Sequence, residues 1–324
     1  MVSISDIERA AERLEGVSVH TPLLRNFELD QVAGGTVLLK PECLQLAGAF
    51  KIRGAYNRLS QLSEDQAKNG VVAWSSGNHA QGVAAAGAML GIQTAIVMPE
   101  DAPKAKLANT RRLGGEVITY DRYAGDREAI ARKIAAERSA ALVPSYDHEH
   151  IVAGQGTVGL EIAEDSIALG LVPDQVLIPC GGGGLSSGCA LAFESRLPGA
   201  DIYAVEPENF DDTARSFQTG IREPIDDSAR SICDALQSPM PGEITFEINQ
   251  RLLAGVLTVS DDEVRSAIRF AFKNLKLVVE PGGAVALAAV LSGKIQTSGK
   301  TTAIVLSGGN IDVELFAEIQ AEPN

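Results

Sequence analysis

Apolar residues along the chain gather into short continuous runs, separated by longer stretches in which they recur every three or four positions. The clearest runs are Thr36–Leu39, Val71–Trp74, Thr94–Met98, Val117–Tyr120, Val176–Pro179, Ile202–Val205 and Thr302–Leu306. Being continuous rather than alternating, they predict strands covered by protein on both faces. The intervening helices have readable starts. Ser5-Asp6-Ile7-Glu8 carries the Ser-x-x-Glu spacing of a capping box and places Ile7, Ala11 and Leu14 on one face. Ser260-Asp261-Asp262-Glu263 repeats the signal, with Val264, Ala267, Ile268 and Ala271 on the apolar side. Strands alternating with helices predict an α/β chain of mainly parallel twisted sheets joined by right-handed crossovers. No internal repeat, low-complexity tract or Pro-rich linker interrupts the pattern.

The length of 324 residues suggests two domains, at about 150 residues each. Without a flexible tether, two such domains must exchange chain. The net charge of −14 argues against nucleic acid and anionic membrane surfaces, which are gripped through clustered Lys and Arg. The acidic start Met1-Val2-Ser3-Ile4-Ser5-Asp6 resembles neither a secretory signal nor a transit peptide. Apolar stretches such as Ala284–Leu291 are far shorter than a membrane span. Cys43, Cys180, Cys189 and Cys233 are widely spaced, as expected of reduced thiols, and no histidine stands at zinc-ligand spacing from them. The expectation is a cytoplasmic chain. His148-Glu149-His150 reads as a loop or strand with a structural role.

The 32 glycines matter through where they stand. Gly181-Gly182-Gly183-Gly184-Leu185 follows the run Val176–Pro179 and opens a helix of small residues. Consecutive glycines let backbone N–H groups converge, and at a helix start such a nest holds a phosphate. A purely structural turn is the competing reading. Neither a P-loop nor the dinucleotide fingerprint fits, because no Gly-Lys-Ser/Thr follows and the third glycine position falls on serine. Ser75-Ser76-Gly77-Asn78-His79 also follows a strand and precedes a helix, Val83–Leu90, which suits a small carboxylate. His79 there is as well read as a positioning residue as a base. Leu306-Ser307-Gly308-Gly309-Asn310 closes a third strand. Ligands of doubly wound sheets bind beyond the carboxyl ends of strands, so the three loops describe one composite site. Lys51, in Ala49-Phe50-Lys51-Ile52-Arg53-Gly54-Ala55, is either an enclosed amine of lowered pKa, fit to act as nucleophile or base, or a solvated lysine at a helix start.

Together these segments, with Val279-Glu280-Pro281-Gly282-Gly283-Ala284, resemble the fold-type II pyridoxal-phosphate enzymes, specifically the serine/threonine dehydratase and serine racemase branch. The resemblance covers nearly the whole chain. It implies a tryptophan synthase beta-like fold: a large cofactor-binding domain, residues 1–72 and 149–324, with a small domain, 73–148, inserted in it. It also implies that Lys51 bonds covalently to pyridoxal 5'-phosphate and takes the Cα proton. Phe50 would pack on the ring, Asn78 would meet the ring hydroxyl, Gly181, Gly182, Gly183, Gly184 and Leu185 would hold the phosphate, and Ser307 would meet the pyridine nitrogen. Ser75, Ser76, Gly77, Asn78 and His79 would grip the substrate carboxylate.

The implied activity is α,β-elimination from L-threonine, L-serine or a related β-hydroxy amino acid to a 2-keto acid and ammonia. A serine or aspartate racemase, with Ser76 as the second base, is an alternative, and so is a phosphate-ligand binding module without catalysis. Glu206-Pro207-Glu208-Asn209-Phe210-Asp211-Asp212 resembles the branch's divalent-cation loop, with Glu206, Asp212 and the Phe210 carbonyl as ligands to Mg2+ or Ca2+. Cys233-Asp234-Ala235 departs from the Ala-Asp-Gly of many members, which opens 3-hydroxyaspartate as a substrate. A homodimer without the regulatory domain of biosynthetic threonine dehydratases is expected.

Overall fold

The computed structural model describes residues 2–75, 77–102, 104–121, 125–226 and 228–322. Among these, the strands are β1 (Leu24–Arg25), β2 (Thr36–Pro41), β3 (Val71–Trp74), β4 (Thr94–Pro99), β5 (Glu116–Tyr120), β6 (Ala141–Leu142), β7 (Gln175–Pro179), β8 (Asp201–Pro207), β9 (Gly255–Val259) and β10 (Thr301–Leu306). They form a six-stranded sheet, β1-β2-β10-β7-β8-β9, and a four-stranded sheet, β5-β4-β3-β6. Only β1 runs antiparallel to its neighbour; the other pairs are parallel.

Both sheets are covered on both faces, and the strand sequences show why. Leu39, Leu177, Val205 and Ile304 of the larger sheet pack with the helix Pro281–Leu291, which is buried from Pro281 to Val290. Their neighbours Leu38, Val176, Ile178, Ala204 and Val305 point the other way, into a core with helices Glu149–Leu169 and Gly184–Arg196. Successive side chains of a strand alternate sides, so a continuous apolar run serves two cores at once. In the smaller sheet, Val71, Ala73, Ile96 and Met98 meet helix Asn78–Leu90. Val72, Ala95 and Val97 meet Ala131 and Ala135 of helix Arg127–Arg138.

Several local features differ from expectation. The first helix is Ile4–Leu14, capped by Ser3 and Asp6 rather than by Ser5 and Glu8, and it buries Ile7, Ala10 and Leu14. The true box lies two residues earlier, where the Asp6 carboxylate reaches back to the Ser3 N–H at 2.9 Å. His148 is the N-cap of Glu149–Leu169, accepting from the His150 N–H at 3.0 Å, so the pair opens a helix rather than lying in a loop or strand. Helix Asn78–Leu90 starts early enough to include Asn78 and His79. The four cysteines are free thiols, three of them buried. Among the described residues, no helix is long and apolar enough to cross a membrane.

A buried ionic cluster fixes the helix Lys51–Leu59. The Arg53 guanidinium, fully buried, donates to Glu42 at 2.8 Å and to Glu161 at 2.6 Å. Lys40, also fully buried, reaches the other oxygen of Glu161 at 2.6 Å. Burial alone would push the Glu42 carboxyl up, but Arg53 beside it holds it below the usual carboxylate range. Two residues along the same helix stands Lys51.

Candidate active site

The carboxyl ends of β3, β7 and β10 open onto one cavity of about 660 Å³, which Lys51, Ser75, Asn78, Gly181–Leu185 and Ser307 all line. That volume falls within the roughly 300–1,000 Å³ of small-ligand sites. The Lys51 segment is tied to the β10 loop by its backbone: the Phe50 N–H donates to the Ser307 carbonyl at 3.2 Å, and Ala49 bridges Gly308. Lys51 therefore emerges beside Ser307. Its amine donates to the Ser145 carbonyl at 2.9 Å and sits 5.1 Å from the Phe50 ring centroid. The exposure that Lys51 retains faces the cavity. Burial pushes its pKa down to about 8, against the pull of Glu280. An amine so placed is free of its proton in a useful fraction of molecules near neutrality.

Opposite stands the glycine run. Gly183 caps helix Gly184–Arg196 with φ +90, the left-handed region that glycine enters without strain. The helix start directs N–H groups without intrahelical acceptors at the cavity. Gly182 must lack a side chain for another reason: a Cβ there would collide with the Tyr146 ring. Backbone N–H groups so gathered suit a phosphate, and the same cavity holds Lys51.

The Ser75–His79 segment supplies a third wall. The Gly77 N–H donates to the Ser75 hydroxyl at 3.2 Å. Ser76 lies outside the described residues. His79 is buried, and its Nε2 bonds the Val143 carbonyl at 2.9 Å. Burial, aided by the Lys51 charge, pushes its pKa down to about 3, so the ring is neutral and held in place. Asn78 donates to Glu280 at 2.5 Å and accepts from Asn310 at 2.8 Å.

Four further residues line the cavity that short motifs did not single out for a role: Lys106, Tyr146, Asp234 and Glu280. Glu280 is buried, and one of its oxygens has no hydrogen-bond partner. Burial, then the nearby Asp234 charge, pushes its carboxyl up to about 8. Lys106 and Asp234 form an ion pair. These residues come from four separate loops and helices, so only the fold brings them together.

The acidic loop lies apart. Glu206 and Asp212 are both fully buried, and Glu206 accepts from the N–H groups of Thr213 (3.2 Å) and Ala214 (2.9 Å). Neither Asp212 oxygen has a hydrogen-bond partner. Burial, then the charge of Asp212, pushes Glu206 up; burial pushes Asp212 to about 7. Two neighbouring buried carboxylates, with both Asp212 oxygens unpartnered, offer oxygen donors of the kind a hard cation takes. Phe210 is buried beside them. Among the described residues, no group of three or more His, Cys, Asp or Glu gathers at metal-binding distance, so a cation here would rely on carbonyl and water ligands as well.

Comparison with known proteins agrees with this geometry. A family model described as pyridoxal-phosphate dependent enzyme matches residues 15–308. An L-threo-3-hydroxyaspartate ammonia-lyase of Pseudomonas sp is 45% identical, over 98% of this chain and 98% of its own. The serine racemase of Schizosaccharomyces pombe is 41% identical, over 98% of this chain and 97% of its own. Among solved structures, maize serine racemase superposes with a TM-score of 0.92 at 35% identity, covering 98% of this chain and 96% of that one.

Proposed function

The chain belongs to the pyridoxal-phosphate dependent enzymes and is a lyase of that family, and from this premise we propose that it eliminates water from L-serine, L-threonine or a related β-hydroxy amino acid, releasing a 2-keto acid and ammonia. The observation that carries the reading is Lys51: an amine brought to about pKa 8 by burial, facing a phosphate nest and Ser307 across one cavity. When bound, pyridoxal phosphate supplies a sink for the electrons released at Cα.

The chain's own residues divide the remaining work. Lys51 Nζ would hold the cofactor, and the same amine is placed to accept the Cα proton. Phe50 would pack on the ring, the Asn78 amide would meet the ring hydroxyl, and Gly181–Leu185 would hold the phosphate through backbone N–H groups. Ser307 would offer the pyridine nitrogen a neutral hydroxyl. A carboxylate there would keep the nitrogen protonated, so serine favours elimination over transamination. The Ser75–His79 loop holds the substrate α-carboxylate. Residues 73–148 form the small domain that covers the site, and the rest of the chain forms the large one. Apolar side chains left exposed at Phe272, Val278 and Val313 support assembly as a homodimer.

The test is a panel of separate L-amino acids assayed for both keto acid and D-isomer. Keto acid from at least one β-hydroxy amino acid, and none from alanine, is expected. The serine racemase of Schizosaccharomyces pombe supports racemisation as a second reading, with Ser76 as the opposing base; D-isomer in excess of keto acid would replace elimination with it.

We also propose that Glu206, Asp212 and the Phe210 carbonyl hold Mg2+ or Ca2+. Without a cation, both carboxyls keep protons that the unfolded chain releases at its ordinary values of 4.5 and 3.8. The unfolded state then binds fewer protons, so this pair destabilises the fold as pH rises from about 4 to about 7. Added Ca2+ at pH 8 should raise Tm by about 4 °C at a hundredfold excess over Kd. The shift should shrink at pH 5 and vanish in Glu206→Gln/Asp212→Asn. A thermal scan showing no shift at either pH would remove the site.

A further inference from the structure

Lys106 sits in helix Lys104–Arg112, on the small-domain side of the cavity, with 6% of its surface exposed. Asp234 begins the turn Asp234–Leu236 on the opposite side. Their ion pair therefore spans the cleft. The two partners are unequal, for the Lys106 side chain is 7% exposed and that of Asp234 is 42% exposed. One is enclosed; the other can turn to solvent. The Lys106 ammonium also lies 3.9 Å from the point where a Cβ on Gly77 would stand. It thus borders the Ser75–His79 loop, the segment assigned to the substrate α-carboxylate. Burial alone would strip its proton, but Asp234 reverses that, and the nearby Glu280 and Asp312 add to the effect. The amine stays charged.

We propose that Lys106 is the specificity-determining residue for the substrate's β-substituent: a carboxylate on Cβ takes the place of Asp234 on the Lys106 ammonium, selecting dicarboxylic β-hydroxy amino acids over serine and threonine. The inference rests on the ammonia-lyase reading above and narrows its substrate class. An enclosed cation must keep an anionic partner, because a buried unpaired charge is costly. A dicarboxylic substrate exchanges one carboxylate for another and leaves the number of charges on Lys106 unchanged, while Asp234 gains water. The hydrogen or methyl that serine or threonine carries at this position has nothing to exchange. Ala235, which follows Asp234, also lines the cavity.

The decisive comparison uses the holoenzyme with L-threo-3-hydroxyaspartate and L-serine. Wild type is expected to favour the dicarboxylic substrate in kcat/KM, and Lys106→Met to lower that ratio about a hundredfold, mainly through KM. Lys106→Arg should restore the ratio to within about tenfold, since it keeps the charge but not the reach. Asp234→Asn removes the competing carboxylate and should lower KM for the dicarboxylic substrate. Calorimetry with succinate against butyrate gives a readout independent of turnover: succinate should bind wild type more tightly and lose that advantage in Lys106→Met. A ratio unmoved in Lys106→Met, or serine turnover without turnover of 3-hydroxyaspartate, overturns the Lys106 assignment and leaves the ammonia-lyase reading intact. Keto acid from none of the substrates fails that reading instead, and the succinate preference then decides whether Lys106 is an anion site. Should Lys106→Met not fold, Asp234→Asn carries the same test: an unchanged or raised KM for the dicarboxylic substrate counts against the exchange.

Discussion

Lys51→Ala is expected to lower keto-acid formation by about ten-thousandfold or more, the scale on which a group acting as both covalent holder and base is felt. The fold should survive the change. Lys51 lies where burial opposes its charge, and its amine donates to the Ser145 carbonyl at the cavity wall, where water can replace it. Desolvation outweighs the pull of Glu280 on this amine, so removing it should move the urea midpoint little. Loss of activity with an unchanged midpoint separates a chemical role from a structural one. A variant retaining a tenth of wild-type turnover would show that another group takes the Cα proton.

Arg53→Met should act in the opposite sense, on stability first. The guanidinium binds Glu42 and Glu161 in the cluster that anchors helix Lys51–Leu59. Removing one member of a buried ion pair typically costs about 3–5 kcal/mol, because the remaining charge is left desolvated. The pH dependence carries a signature. In the wild type, Arg53 holds the Glu42 carboxyl below its ordinary value of 4.5, a contribution present above that pH and lost as pH falls through the lowered value. The gap between wild type and Arg53→Met should therefore be widest at neutral pH and begin to narrow as the pH falls below 4.5, toward the lowered value at which Glu42 takes up a proton. Urea unfolding at pH 7 and pH 4 measures both. An equal gap at the two pH values would show that packing, not charge, makes the cluster stabilising.

The two effects meet in one helix, which explains how much of the site the sequence disclosed. β2, β3, β4, β5, β7, β8 and β10 were legible because each holds a short continuous apolar run that feeds cores on both faces. β1 and β6 have two residues each and carry no periodicity. β9, Gly255–Val259, buries only Val259 and lacks the continuous apolar run. The early capping box was displaced because Ser3-Asp6 and Ser5-Glu8 both offer a hydroxyl and a carboxylate three residues apart; only the hydrogen bond distinguishes them. At the site, Lys51, the glycine run and Ser307 stood out because each lies in a local motif at a strand end or helix start. Lys106 and Tyr146 had no such mark, and the segments that hold Asp234 and Glu280 stood out without giving either residue a role. Lys106 is one of two lysines on a polar helix, and its enclosure appears only when Asp234 arrives from 128 residues away. Contacts of this kind depend on how the two sheets face each other, which no window of sequence contains.

The most direct measurement is borohydride reduction of the protein after incubation with pyridoxal 5'-phosphate, followed by peptide mass mapping across a pH series. The expected result is a single reduced adduct on Lys51, with the rate of capture rising through about pH 8, where the buried amine loses its proton. An adduct on another lysine, or no adduct at any pH, would contradict the assignment of Lys51 and with it the proposed chemistry.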